Sequence, residues 1–146
     1  MSDANFRRAA GLHRLLLRLT GGRLGHRLAG MKVVELHTVG RTSGLPRSTV
    51  LSTPVEGPEG LVLVATQGGA DGHPDWYLNL VKTPAVEVTI DGQRRPFLAR
   101  TASAEEKARL WPRIVAAYGG YAGYQQRTGR EIPVVLCEPR TADASE

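Results

Sequence analysis

At 146 residues, 41% apolar and 23% charged, the chain matches one globular domain that buries roughly 68% of its unfolded surface. One Cys excludes a disulfide framework and a Cys-based metal centre within one chain, and the four His at 13, 26, 37 and 73 form no HxH or HxxxH pair. The net charge of +5 sits wholly in residues 1–30, where six Arg oppose Asp3, while residues 31–146 carry 13 basic and 13 acidic side chains; a nucleic-acid module would spread its charge over the folded face.

Residues 5–19, NFRRAAGLHRLLLRL, suit a helix with Arg7, Arg14 and Arg18 within ~40° of one another and Phe6, Leu12, Leu16 and Leu19 opposite. Its Leu run is far short of the ~20 residues that cross a bilayer. Two readings stay open: a helix packed on the domain, or an in-plane helix, residues 5–28, on an anionic membrane surface. The chain then divides into a basic segment 1–30, a domain 31–139 and a tail 140–146.

Met31–Val39 reads as a strand, and GRTSGLPR (40–47) as a turn leading to a second strand, Ser48–Val55. Leu61–Thr66, LVLVAT, is apolar throughout and reads as a central strand. The loop 67–75 follows, then a short helix Trp76–Val81 with Asp75 as its cap and Thr83-Pro84 as its end. Asp91-Gly92 between Ala85–Ile90 and Gln93–Arg100 is the strongest hairpin signal. Ser103 with Glu106 is a capping box for a helix reaching Tyr118, and Ile132–Glu138 is the last strand. Hairpin spacing dominates, which points to a mostly β, antiparallel barrel or sandwich with peripheral helices.

Three segments could carry chemistry. The turn 40–47 can present N–H groups with Arg41 and Arg47 to an anion, or be a plain hairpin turn with two solvated Arg. The loop QGGADGHPD follows a buried strand, where a flat ligand can meet bare backbone; it lacks GK[ST] and GxGxxG, and Trp76 with Leu80 could equally be core. Tyr118, Tyr121 and Tyr124 could share one wall, as a substrate lid or as core packing, on a backbone loosened by Gly119, Gly120 and Gly123. His37 reads as half-buried, His73 as solvated and Cys137 as a buried small apolar residue, with no partner for nucleophilic work.

In this order, GRTSGLPR, VATQGGADGHPDWYLNL and the Tyr stretch before IPVVLCEP resemble the deazaflavin-dependent nitroreductase family, from about Val33 to Pro139. The resemblance implies a split β-barrel in actinobacterial oxidoreductases that use coenzyme F-420, with a quinone, nitroaromatic or other conjugated acceptor. By position, it implies that Arg41, Thr42, Ser43 and Arg47 hold the anionic phosphate and oligoglutamyl tail. Val64, Ala65, Thr66, Gln67, Gly68 and Gly69 would line the deazaflavin, with Thr66 near its reactive face, and Trp76, Tyr77 and Asn79 would complete that site. Ser52, Tyr118, Tyr121 and Tyr124 would shape the substrate pocket, with Tyr124 or Tyr121 neutralising the developing oxyanion. No metal is implied.

The chain departs from the family at Thr42 and Gln67, where members often carry Lys, and at Ser52, where prodrug-activating members carry Tyr. Two charges fewer should loosen the coenzyme, and a wider pocket should shift the acceptor away from nitroimidazoles. A cytoplasmic enzyme, as a monomer or homodimer and possible peripheral protein of the inner leaflet, is the expectation. Rival readings are an FMN- or haem-binding barrel and a non-catalytic F-420 or lipid carrier.

Overall fold

The computed structural model describes residues 27–28, 31–66 and 72–141. The basic helix expected at 5–19 lies outside the described residues.

Eight antiparallel strands make one curled sheet: β1 (Arg27–Leu28), β2 (Met31–Val39), β3 (Pro46–Thr53), β4 (Val55–Gly57), β5 (Gly60–Val64), β6 (Ala85–Ile90), β7 (Gln93–Thr101) and β8 (Val134–Pro139). The spatial order is β1-β2-β6-β7-β8-β5-β4, and β3 pairs with the other edge of β2. Among the described residues three helices cover it: α1 (Asp75–Lys82), α2 (Ala104–Ala117) and α3 (Gly120–Arg127).

The period-two alternation of the strands builds the core. Val34 and Leu36, Leu61, Leu63 and Ala65, Val86 and Val88, Phe97 and Ala99, and Val135 and Cys137 face inward on Trp76 and Leu80 of α1. The opposite faces of β5 and β8, through Val62, Val64 and Val134, pack a second cluster with Ile114 of α2 and Tyr121 of α3. β5 is therefore buried on both faces, which explains its unbroken apolar run. The tight turn at Asp91-Gly92 has φ of 53° and 77° at its two central residues, the geometry that an Asp-Gly pair supplies. Ser103 and Glu106 make both halves of the capping box.

Several boundaries differ from expectation. The second strand runs Pro46–Thr53, and Val55–Gly57 is a separate strand on β5. The buried Thr53 hydroxyl sits at this bend, bonding the carbonyl oxygens of Val62 at 2.7 Å and Val55 at 3.0 Å. Pro74, not Asp75, is the residue before α1, and no side chain caps it; Asp75 lies inside the first turn with its carboxylate on Arg41. The Gly-rich Tyr stretch is helical from Gly120 because burial of Tyr121 outweighs the weak propensity of glycine. The tail is tied at its start: the Arg140 guanidinium donates to the carbonyls of Phe97 at 2.8 Å and Val86 at 3.2 Å. Residues 142–146 lie outside the described residues. No helix among the described residues is long and apolar enough to cross a membrane.

Candidate active site

The turn between β2 and β3 is closed by Gly44 N–H to Gly40 O and Gly40 N–H to Leu45 O, both 2.8 Å. Side chains of α1 hold it from below. Buried Asn79 accepts at Oδ1 from the Arg41 backbone N–H at 3.0 Å and from Arg41 Nη1 at 2.9 Å. Arg41 Nη2 meets Asp75 Oδ1 at 3.3 Å, and Lys82 Nζ donates to Arg41 O at 2.7 Å. Arg41 is thus spent largely inside the protein. Thr42, Ser43 and Arg47 are exposed, and the Arg47 guanidinium reaches only the Ser43 hydroxyl, at 3.5 Å, among its described hydrogen bonds. Arg41, Arg47 and Lys82 against Asp75 leave this corner net positive.

The second part of the site is the end of β5. Ala65 N–H donates to Pro133 O at 3.0 Å and Thr66 N–H to Val64 O at 2.9 Å. Arg130 Nη2 donates to Ala65 O at 3.1 Å and Thr66 O at 3.0 Å. The backbone polar groups of Ala65 and Thr66 therefore have partners in the protein; Ala65 is fully buried, and the half-buried Thr66 is what this end of β5 presents outward. Gln67, Gly68 and Gly69 lie outside the described residues.

His73, expected to be solvated, is half-buried instead. Its Nδ1 lies 3.0 Å from Arg130 Nη1, and its ring lies 5.1 Å from that of Tyr77. Burial, with the Arg130 charge added, holds its pKa below the ordinary His value. Tyr77 shares a hydrogen bond of 2.9 Å with Thr101 Oγ1. Trp76 is buried in the first core, so it backs the site wall. His37 is half-buried as expected, with Nε2 2.9 Å from Thr89 Oγ1. Cys137 is buried among apolar side chains, which pushes its thiol up to about 12.

The tyrosines do share a wall. Ring centroids lie 5.4 Å apart for Tyr118 and Tyr121, 6.3 Å for Tyr118 and Tyr124, and 6.2 Å for Tyr121 and Tyr124. Tyr121 belongs to the second core cluster, with Val62 and Val64 of β5, and Tyr118 and Tyr124 pack against it. Tyr121 is buried, with its hydroxyl 3.6 Å from Met31 Sδ, and burial, helped by Tyr124 and Tyr118, pushes its pKa up to about 12. The Tyr124 pKa is raised by its hydrogen bond with Tyr118 and by burial, against the lowering charge of Arg127. Ser52 lies in β3 opposite Val33, half-buried.

A family model, F-420H(2)-dependent quinone reductase, matches residues 11–139. The chain belongs to that family. An F-420H(2)-dependent quinone reductase of Mycobacterium tuberculosis is 36% identical over 133 residues, 88% of this chain and 89% of its own length. Among solved structures, an F-420-H2-dependent reductase aligns with TM-score 0.66 and 36% identity, over 73% of this chain and 93% of its own. A chain described as a domain-swapped dimer aligns with TM-score 0.68 and 33% identity, over 94% of this chain and all of its own. The split β-barrel is therefore the fold, and F-420 is the coenzyme that this quinone reductase family uses.

The donor set fits such a coenzyme. Its tail is polyanionic, and the outward Arg47 and Ser43 hydroxyl on a net positive turn suit that charge. Three residues that complete the site carried no motif in the sequence: Asp75 and Lys82 of α1, which fasten the turn, and Arg130, which fastens the end of β5. The i, i+4 spacing of Asp75 and Asn79 on one helix face was the available signal for the first; for Arg130 there was none.

Proposed function

We propose that this quinone-reductase family member reduces a quinone, nitroaromatic or other flat conjugated acceptor with F-420H2, and that the turn 40–47 anchors the coenzyme tail. The observation that carries this reading is the fastening of Arg41 to Asn79 and Asp75, which leaves Thr42, Ser43 and Arg47 outward on a prearranged turn. Reduced F-420, when bound, supplies the hydride. The end of β5 at Val64, Ala65 and Thr66 would flank its flat ring, with the half-buried Thr66 as the part open to it, and Tyr77 and Asn79 would bound the other side.

The tyrosine wall holds protons. Tyrosine hydroxyls are protonated at neutral pH, so Tyr121 and Tyr124 can each donate to an acceptor oxygen as negative charge develops there. Tyr124 is the preferred donor because it is the less buried, whereas the Tyr121 hydroxyl faces Met31. Tyr118 orients Tyr124, and Ser52 widens the acceptor pocket.

Fluorescence titration with F-420 and with FMN in parallel, followed by oxidation of reduced F-420 with menadione, tests the reading. Selective F-420 binding with turnover supports it. FMN or haem binding, or tight F-420 binding without transfer to quinones, nitroaromatics or enones, overturns it in favour of a rival. A membrane quinone would give the basic residues 5–28 a purpose, at the inner leaflet; loss of cosedimentation with anionic liposomes on deleting residues 1–30 tests that attachment. The similarity to a domain-swapped dimer supports a homodimer, which light scattering checks.

A further inference from the structure

Arg130 stands in the connection between α3 and β8, and its backbone is held on several sides. Its N–H donates to Thr128 Oγ1 at 3.3 Å, and its carbonyl accepts from Gln125 Nε2 at 2.9 Å. Gln125 Oε1 in turn accepts from Ile132 N–H at 3.0 Å and from Lys107 Nζ of α2 at 3.1 Å. Gln125 belongs to α3, the helix that carries Tyr121 and Tyr124. The Arg130 backbone is therefore tied to the tyrosine-bearing helix through Gln125, and its side chain ends on the carbonyls of Ala65 and Thr66 and on His73 Nδ1.

The chemistry of this bridge is directional. Arginine has no acceptor, so His73 Nδ1 must accept, which puts the His73 proton on Nε2. One planar guanidinium thus serves two carbonyls and one imidazole nitrogen. A lysine ammonium carries a single donor centre and cannot span all three in that plane. Thr66 and His73 lie seven positions apart, and the same side chain holds both.

We propose that Arg130 is a positioning residue that sets the end of β5 against the tyrosine wall, so that coenzyme ring and acceptor meet at the right separation. This rests on the reading that Val64–Thr66 flanks the deazaflavin. Arg130 acts on the end of β5 through the main-chain carbonyls of Ala65 and Thr66. A small shift in the spacing of two reactants is costly in rate, because the reacting atoms must lie within a narrow approach distance.

The test uses the full chain and the variants Arg130→Lys, Arg130→Met and His73→Phe. For each, the F-420 dissociation constant is measured by fluorescence and the thermal midpoint without coenzyme. The kcat and KM for menadione are measured with reduced F-420. Arg130→Met should weaken F-420 binding about tenfold and lower kcat, with the menadione KM little changed. Arg130→Lys should recover part of both losses, and His73→Phe, which keeps a ring beside Tyr77, should lose less than Arg130→Met.

Wild-type F-420 affinity and kcat in folded Arg130→Met overturn the proposal. If Arg130→Met does not fold, wild-type values in both other variants overturn it instead. Arg47→Ala run in parallel separates the two readings. If it leaves F-420 affinity unchanged, the coenzyme site itself is misplaced. If it weakens binding while the Arg130 variants do not, only the positioning role fails.

Discussion

Asn79 Oδ1 accepts two hydrogen bonds from one residue, the backbone N–H and the guanidinium of Arg41, at 3.0 and 2.9 Å. A single buried amide on α1 thereby fixes both the path of the β2–β3 turn and the direction of its first arginine. Asn79→Ala removes the acceptor from both donors, and unmade bonds of this kind cost about 1–3 kcal/mol. The expected outcome is a thermal midpoint lowered by several degrees together with weaker F-420 binding, read by calorimetry and fluorescence. Asn79→Asp, which keeps an acceptor and adds a charge facing Arg41, should bind F-420 better than Asn79→Ala.

Arg41 and Arg47 should separate in the same assays. Arg47 has only the Ser43 hydroxyl as a described hydrogen-bond partner, so Arg47→Ala should weaken F-420 binding and flatten its salt dependence without moving the thermal midpoint. Arg41 is bonded to Asn79 and Asp75, so Arg41→Ala should lower both affinity and midpoint. A midpoint loss in Arg47→Ala equal to that in Arg41→Ala would contradict this division.

The strands were legible because alternation and apolar runs report burial directly: Leu61–Val64 is an unbroken apolar run because both faces of β5 are covered. Asp91-Gly92 and the Ser103–Glu106 box were legible because turn and cap chemistry is local. What was not legible depends on distant partners. Asp75 resembled a helix cap, but Arg41, 34 positions away, takes its carboxylate. His73 looked solvated because Arg130, 57 positions away, carries no pattern that marks it as its partner. The division between an anchoring Arg47 and a fastened Arg41 likewise rests on α1, which the turn sequence does not mention.

Gly120 lies under the ring of Tyr118: a Cβ there would run into the Tyr118 Cε2, Cζ and hydroxyl oxygen. Gly120→Ala should displace that ring while raising the helix propensity of α3. Since the Tyr118 ring packs against that of Tyr124, the variant should lower kcat for menadione while leaving F-420 affinity unchanged. Equal losses in both would place Tyr118 in the coenzyme site instead.

Tyr121 and Tyr124 differ in what their hydroxyls can reach, and pH separates them. Burial raises the Tyr121 pKa to about 12, above the ordinary value of 10.0, so folding favours its neutral form. That contribution is fully present below pH 10, and it is lost as pH rises through 10 toward 12. Tyr121→Phe should therefore unfold less readily than the parent protein in this alkaline range, in urea titrations at stepped pH, because no phenol remains to ionise. Its activity at neutral pH should stay near that of the parent, since among the described residues the Tyr121 hydroxyl meets only the weak acceptor Met31 Sδ at 3.6 Å. Tyr124→Phe should show the same alkaline gain to a lesser degree, since its raised pKa comes with less burial, together with a drop in kcat of about 10²-fold or more if its hydroxyl is the proton donor. A Tyr124→Phe variant with full kcat, beside a Tyr121→Phe variant without it, would move the donor role to the buried tyrosine.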